Sequence, residues 1–473
     1  MSHQSFLTEQ IQQNRDAYEQ LAKHIWNTPE LRFEEEQSAK LLADYIQAEG
    51  FTVERGIAGI STAFRARFGS GSPVIGFLGE FDALSDLSQI ENQPSPEPKE
   101  AGGNGHGCGH HMLGTGAMAA AIAARDYMVE NGLPGTIEFY GCPGEEGGSG
   151  KTFMAREGAF DGIDTAITWH PGYYNTVWAY ETLANYQVSF RFQGKASHAA
   201  ASPHLGRSAL DAVELMNIGA NYLREHIEET SRLHYAITNT GGVSPNVVQA
   251  EAEVLYLMRG MTVKKAKEVY ERVQKIAEGA ALMTETKLEM TFEKACSNFV
   301  RNHTLEDVMN KEMLAFGEPD YTDEEKQLAK QFYDTLSESE IQNAIDEVRK
   351  ISTNDVAHDL AATTIPSTPD MKRLSGSTDV GDVSTIAPTV QCYTTCYAFG
   401  TPFHTWQMVA QGKTSYAMTG MLYAAELMSG TAAELLENPD LIDQAKEELH
   451  QRLDGTHYEC PIPPGIEPSK LQN

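Results

Sequence analysis

Seven consecutive residues, Gly105-His106-Gly107-Cys108-Gly109-His110-His111, place one thiol and three imidazoles in a run completed by glycine. Glycine lets a backbone turn freely and pass close to its neighbours. Thiolate and imidazole are the donors that a zinc-class ion prefers. The run constrains the fold to one that gathers these groups at a tight turn. A second unusual segment, Gly141-Cys142-Pro143-Gly144-Glu145-Glu146-Gly147-Gly148, sets paired carboxylates between glycines. Trp169-His170-Pro171 and Gly400-Thr401-Pro402-Phe403-His404 each add an isolated imidazole.

Hydrophobic periodicity places these motifs in an alternation of strands and helices. Residues 10–50 carry a helical stripe that includes Leu41, Leu42, Tyr45 and Ile46, with Gly50 as a stop. Residues 74–78, 136–140, 165–169 and 389–398 read as buried strands, and 112–128 as an Ala-rich helix. Such alternation predicts an α/β domain with helices packed on a mostly parallel sheet. Each motif then falls just past the C-terminal end of a strand: Glu80 and Asp82 after the first, Glu145 and Glu146 after the next, then His170, then His404. Open α/β sheets place their sites there.

From about Ala184 the pattern changes. Residues 186–192, 247–258 and 287–292 read as strands, and 208–222 and 263–283 as helices. This order predicts a small α+β domain with an antiparallel sheet, inserted in the first. The expected division is 1–184 and 298–473 for the catalytic domain and 185–297 for the insertion. Residues 321–359 read as an acidic, solvated helical excursion, and 361–371 as a Thr/Pro-rich connection.

A chain of 473 residues exceeds one ordinary core, in keeping with two domains. The formal charge of −30 argues against nucleic acid, whose phosphates it would repel. No apolar run is long enough to span a bilayer, and residues 1–14 lack the apolar core of a secretion signal, so no membrane and a cytoplasmic location are expected. Six scattered cysteines are too few for a disulfide scaffold. Cys392 and Cys396, inside a strand, read as core thiols rather than metal ligands.

Cys108, His110, Glu146, His170 and His404 are the candidate metal ligands. Five donors exceed the needs of one tetrahedral ion, whereas two ions sharing one donor, ~3.5–4 Å apart, would use them all. Glu145 can face the attacking water while Glu146 binds metal, which suits it as general base. Asp82 either holds a ligand imidazole or is a turn residue. His111 is a candidate to orient a ligand from behind, and His106 reads as a structural histidine. Asp379 and Asp382 either support the site or cap the next helix. In the insertion, His198, His204, Arg207, Asn246 and Arg259 offer an imidazole, an amide and guanidinium groups that could hold an oxyanion and a carboxylate. Singly, each has an ordinary surface or cap reading.

These residues resemble the metallo-aminoacylase and carboxypeptidase G superfamily, in its amidohydrolase branch of hippurate and auxin-conjugate hydrolases. Within that branch the chain is most similar to the p-aminobenzoyl-glutamate hydrolases. Residues 105–110, 139–154, 168–171, 202–213 and 234–257 carry the likeness, which runs nearly end to end. The resemblance implies an α/β catalytic domain with an inserted lid or dimerisation domain. It implies two divalent ions, Mn²⁺ or Zn²⁺, bridged by Cys108, with Glu146 and His404 on one and His110 and His170 on the other. Glu145 would be the base, and His198 would reach the active site of a partner chain. Asn246 and Arg259 would hold the substrate, joined by Arg207 as a candidate. The implied reaction is hydrolysis of an N-acyl amino acid, p-aminobenzoyl-glutamate above others. The alternatives are a general aminoacylase or dipeptidase, or a subunit that needs a homologous partner. The implied assembly is a homodimer or a heteromer with a homologous A-type subunit. Three features depart from the branch: His111 stands where an aspartate is usual, Gly260-Met261-Thr262 lacks an Ala-Pro, and residues 321–371 diverge.

Overall fold

A computed structural model describes residues 2–352, 360, 364–365 and 372–470. Most of the predicted connection 361–371 therefore lies outside the described residues. The strands are β1 (Thr52–Arg55), β2 (Phe64–Ser70), β3 (Val74–Glu80), β4 (Gly135–Cys142), β5 (Thr165–Gly172), β6 (Asn175–Val177), β7 (Tyr180–Glu181), β8 (Ala184–Gln193), β9 (Arg232–Asn239), β10 (Glu251–Gly260), β11 (Lys287–Cys296), β12 (Thr364–Ile365), β13 (Lys372–Arg373) and β14 (Thr389–Thr395).

Eight of them form one sheet in the order β1-β2-β4-β3-β5-β14-β6-β12. Its centre, β4-β3-β5-β14, is parallel, and β1, β2 and β6 add antiparallel pairings toward the edges. The fold is α/β as predicted. β4 is buried at every position and β3 at all but its first, because both faces are covered by helices. The helix His110–Glu130 is buried almost all round and packs against the long helix Ser415–Glu437. Small residues permit this closeness: a Cβ on Gly116 would sit 2.9 Å from the Trp169 ring.

The predicted N-terminal helix is three helices, His3–Gln13, Arg15–Trp26 and Glu36–Ala48. Pro29 lies in the gap between the second and third, where a helix interior would lose a hydrogen bond to it.

β8 to β11 form a separate antiparallel sheet in the order β11-β8-β10-β9. Every second residue of β10 is buried, and Val254, Tyr256 and Met258 pack with the helices Ala209–Leu223 and Val263–Thr284. β9, which periodicity did not single out, is mostly exposed on the sheet edge.

The acidic excursion is not simply solvated. Its helix Glu338–Arg349 buries Ala344 and Val348 against Tyr173, Tyr174, Tyr393 and Phe399. Among the described residues, no helix is long and apolar enough to cross a membrane.

Candidate metal centre

The C-terminal ends of the four central strands deliver the site. β3 ends on Glu80, with Asp82 two residues beyond; β4 leads to Glu145 and Glu146; β5 carries His170; His404 follows β14. Between β3 and its two neighbours the strand order reverses, which opens a crevice at the strand ends. The glycine run enters here as a turn. Gly109, at φ 78°, caps the helix that begins at His110, and a Cβ there would meet the Tyr397 hydroxyl at 2.3 Å. Gly144, at φ 66°, lies against the Phe33 ring. His404 has φ 59° with its N–H donating to Gly107 O (2.9 Å). A non-glycine residue in that region costs of order 1 kcal/mol, so the fold holds this imidazole against its backbone preference.

All five predicted ligands meet. Ligand atoms of Cys108, His110 and His170 lie within 4.8 Å of one another, as do those of Cys108, Glu146 and His404, so Cys108 belongs to both sets. A third set joins Glu80, His110 and Glu145. The imidazoles are oriented from behind. His110 Nδ1 is 2.8 Å from Asp82 Oδ1, and His170 Nδ1 is 2.9 Å from Pro171 O. Each of these acceptors assigns the proton to Nδ1 and turns Nε2 toward the site. His170 Nε2 then lies 3.4 Å from Cys108 Sγ. His110 Nε2 and Glu146 Oε1 are buried without a hydrogen bond, although His404 Nε2 is 3.1 Å from the latter. Buried polar atoms rarely stay unsatisfied. Two such atoms among converging N, O and S donors fit divalent cations.

The electrostatics are those of crowded, buried charge. Burial, then Glu146, pushes the Cys108 thiol well above its usual range. Burial alone would strip His110 of its proton, but Cys108 and Asp82 outweigh it and hold its pKa well above normal. Burial, then His110, lowers His170 to about 4. Burial would raise Glu146, but the nearby His404 imidazole and the charge of His110 outweigh it and depress its carboxyl to about 2. Glu145 is raised well above the carboxylate range by burial and then by Glu80 and Glu146.

Asp82 also accepts from Glu146 N (2.7 Å), so one carboxylate ties two motifs together. His111 does not support a ligand. Its Nε2 lies 2.7 Å from Gly412 O, which pins the start of its helix to the loop after Trp406–Gln411. His106 is likewise structural, 3.1 Å from Ile25 O. Asp379 stands at a helix start but makes no side-chain cap bond. It accepts instead from Lys151 N (2.8 Å) and Nζ (2.6 Å). Asp382 accepts from Thr152, Ser297 and Tyr458. Cys392 and Cys396 are free and fully buried, as core thiols should be.

Sequence reasoning missed Lys151. Its ammonium is fully buried between Glu80 (2.5 Å) and Asp379 (2.6 Å). Burial would lower its pKa, yet those two carboxylates hold it well above normal. Glu80 Oε2 in turn approaches His110 Nε2 (3.3 Å). Glu80 was legible from its strand end; a lysine after a glycine loop gives no sign that it is buried.

The inserted sheet keeps its candidates apart from this centre. His198 is exposed, with Nδ1 accepting from Ala200 N and Ala201 N, and its loop bridges to Val247 beside exposed Asn246. Neither lines the cleft of its own chain. Arg207 also lies outside the cleft lining, and its guanidinium donates to Glu285 through Nε (3.0 Å) and Nη2 (2.9 Å). Arg259 donates to Ser377 Oγ (2.6 Å), and Ser377 does line the cleft. The cleft itself is a cavity of about 400 Å³. Its floor is the ligand cluster with Glu145, and Tyr174, Trp178, Tyr180, Tyr393 and Phe403 supply aromatic walls.

The model of peptidase family M20/M25/M40 matches residues 76–467. The chain belongs to this family. As a member of the M20 group it is a hydrolase. It is 50% identical, over 99% of each chain, to one of the subunits of p-aminobenzoyl-glutamate hydrolase from Escherichia coli. A second, different subunit of that same hydrolase is 31% identical over 54% of this chain and 59% of its own length. A Bacillus subtilis structure, described as a dinuclear metal-binding peptidase of the M20 family, shares the fold with a TM-score of 0.55 and 17% identity, covering 92% of this chain and 99% of the other.

Proposed function

We propose that this M20 chain hydrolyses the amide of p-aminobenzoyl-glutamate, giving p-aminobenzoate and glutamate, and that it uses two divalent ions. One observation carries the reading: two three-donor clusters share Cys108 on the floor of an aromatic-walled cavity, with Glu145 beside them. The 50% identity to the E. coli hydrolase chain supports the substrate.

Cys108, His110 and His170 would hold one ion, and Cys108, Glu146 and His404 the other. Such ions, when bound, supply Lewis acidity toward the amide carbonyl and toward water. Manganese and zinc both suit a mixed N, O and S donor set. Asp82 keeps His110 in its ligating tautomer, and Pro171 O does so for His170. Glu145 takes the proton from the attacking water as its oxygen bonds to the amide carbon. It returns that proton to the glutamate nitrogen as the C–N bond breaks. The aromatic walls hold the aminobenzoyl ring and exclude solvent. Arg259, set by Ser377, binds the α-carboxylate.

We assign residues 185–297 to a lid that also meets a second chain. His198 and Asn246 sit exposed at one end of it, outside their own cleft, which suits groups that complete a neighbour's site. The neighbour is a second copy or a homologous A-type subunit, since the E. coli hydrolase has two kinds of chain, both similar to this one. Free cysteines throughout support a reducing, cytoplasmic compartment.

Release of p-aminobenzoate by the purified chain, with Mn²⁺ or Zn²⁺ and with chelator, tests the reading. Metal-dependent release is expected. No release from a metal-loaded chain overturns self-sufficiency. Glu145→Ala should cut turnover by at least about 100-fold with its metal content intact, and metal loss in that variant would contradict the role of Glu145.

A further inference from the structure

Glu145 stands in a segment that cannot hold itself. Residues 144–149 form no regular helix, and Gly144 (φ 66°), Gly147 (φ 76°) and Ser149 (φ 56°) all take left-handed backbone. For Ser149, which has a Cβ, that conformation is unfavourable. A general base must nevertheless stay within hydrogen-bond reach of the proton it takes. An error of about 1 Å there costs on the order of 100-fold in rate.

Order comes from outside the segment. The connection between the helices Arg15–Trp26 and Glu36–Ala48 runs along it. The Gly144 N–H donates to Glu35 Oε1 (2.8 Å), and Arg32 Nη1 donates to Gly147 O. The Phe33 ring fills the space between them: a Cβ on Gly144 or Gly148 would sit 2.7 or 2.8 Å from it. Beyond Glu145, the Glu146 N–H donates to Asp82 Oδ2. The amides of the residues on either side of Glu145 are thus each taken by a buried acid, Glu35 before it and Asp82 after it. The same connection also meets the other loops of the site. The Ala83 N–H donates to Glu30 O (2.8 Å), and Asn104 Nδ2 donates to Pro29 O (3.1 Å).

Glu35 is released for this contact by a neighbour. It stands at the N-cap of Glu36–Ala48, where an acid ordinarily accepts from the first amides, yet its side chain makes no cap bond. Glu30 caps the helix instead, accepting from Gln37 N (3.0 Å) and Ser38 N (2.9 Å). Glu35 is fully buried, and its second oxygen accepts the Thr62 hydroxyl (3.1 Å). It does not line the cleft, so any effect on the reaction passes through the loop.

We propose that Glu35 is a positioning residue for the general base: by holding the Gly144 N–H, its carboxyl fixes the backbone from which Glu145 reaches the attacking water. This rests on the amidohydrolase reading above and deepens it.

In the metal-loaded full chain, Glu35→Ala should lower kcat on p-aminobenzoyl-glutamate on the order of 100-fold, with KM little changed. Metal content should hold, because Asp82 still takes the Glu146 N–H. Glu35→Gln keeps an acceptor for the Gly144 N–H and should recover most of the rate. Hydrogen exchange, read by mass spectrometry over residues 143–150, needs no substrate. The Gly144 amide should exchange about tenfold faster in Glu35→Ala, as for the loss of one ordinary hydrogen bond. It should keep the wild-type rate in Glu35→Gln, with β4 unchanged in both. Should Glu35→Ala not fold, the milder Thr62→Val, which frees the second oxygen of Glu35, should give the same two changes at smaller size. Unchanged kcat and exchange in the variant that folds overturn the proposal. So does a glutamine no better than alanine, or faster exchange spread evenly over the sheet. Where the wild-type chain releases no p-aminobenzoate, the hydrolase reading falls separately, and exchange at Gly144 still decides whether Glu35 holds the loop.

Discussion

Lys151→Met removes the buried cation that Glu80 and Asp379 share. The methionine keeps most of the volume, so the loss is of charge rather than packing. Both carboxylates remain, with side chains 5% and 1% exposed. What is left to them is the His110 imidazole beside Glu80 and the backbone N–H of residue 151 on Asp379, too little for two buried charges, so folding must place a proton on one of them. A carboxyl with an ordinary value near 4 takes up a proton at pH 7 at a cost of roughly 4 kcal/mol, at 1.36 kcal/mol per unit. This agrees with the ~3–5 kcal/mol typical of breaking a buried pair. The sign follows from linkage. The folded variant binds a proton that the unfolded chain releases above pH 4, so stability is lost as pH rises. The penalty should therefore shrink to about 1.4 kcal/mol at pH 5. For an unfolding entropy near 1 kcal/mol/K over the whole chain, the melting temperature should drop by roughly 4 °C at pH 7 and 1 °C at pH 5. Calorimetric melting at both pH values, with chelator present so that metal linkage does not intrude, reads it directly. Adding Asp379→Asn to the variant should restore most of the loss. A drop that is the same at both pH values, or no rescue by the second substitution, would refute the reasoning.

Glu426 makes an independent pH prediction away from the cleft. Burial holds its carboxyl at about 7 despite hydrogen bonds from Gln12 and Thr8. Folding retains a proton there between about pH 4.5 and 7, so the chain loses up to about 3 kcal/mol as pH rises across that window; Glu426→Gln should flatten this slope in urea titrations. Chelator should lower the melting temperature and Mn²⁺ or Zn²⁺ should restore it, by about 4 kcal/mol at a thousandfold excess over Kd; a melt indifferent to both would remove the metal centre. Gly420→Ala should destabilise the chain by about 1–3 kcal/mol, because the new Cβ would lie 2.1 Å from Thr395 O; a neutral melt would show that the helix Ser415–Glu437 can shift.

Apart from Cys108 and His110, which their glycine-rich run marks directly, the legible parts of the site share one property: they follow buried strands. Apolar runs in β3, β4, β5 and β14 mark their own ends, and the motifs past those ends had to converge once the sheet was parallel. Residues whose role depends on a distant partner left no trace. Lys151 reads like any surface lysine until Asp379 and Glu80 close on it. His111 looked like support for a ligand because of its place in the run, yet helix geometry turned it toward Gly412. The partner of Arg207, Glu285, lies 78 residues away and was equally illegible. The excursion misled because it docks with small residues: Ala344 and Val348, four apart, present too little apolar surface to stand out in an acidic helix. β9 was missed because an exposed edge strand has no buried face to impose alternation.

The order of the donors along the chain has a consequence for synthesis. Cys108, His110 and His170 are all translated before the inserted sheet begins, whereas β14 and the helix Ser415–Glu437 that pack on their elements come later. His404, which completes the cluster with Cys108 and Glu146, emerges only after the insertion and the helical excursion, and so does Asp379, the second partner of Lys151. The donor set is thus completed in steps, with the shared Cys108 first and His404 last. A release or stall anywhere within the insertion would leave one donor set without His404 and Lys151 without Asp379. The last quarter of the chain thus acts as the check that the whole message has been read.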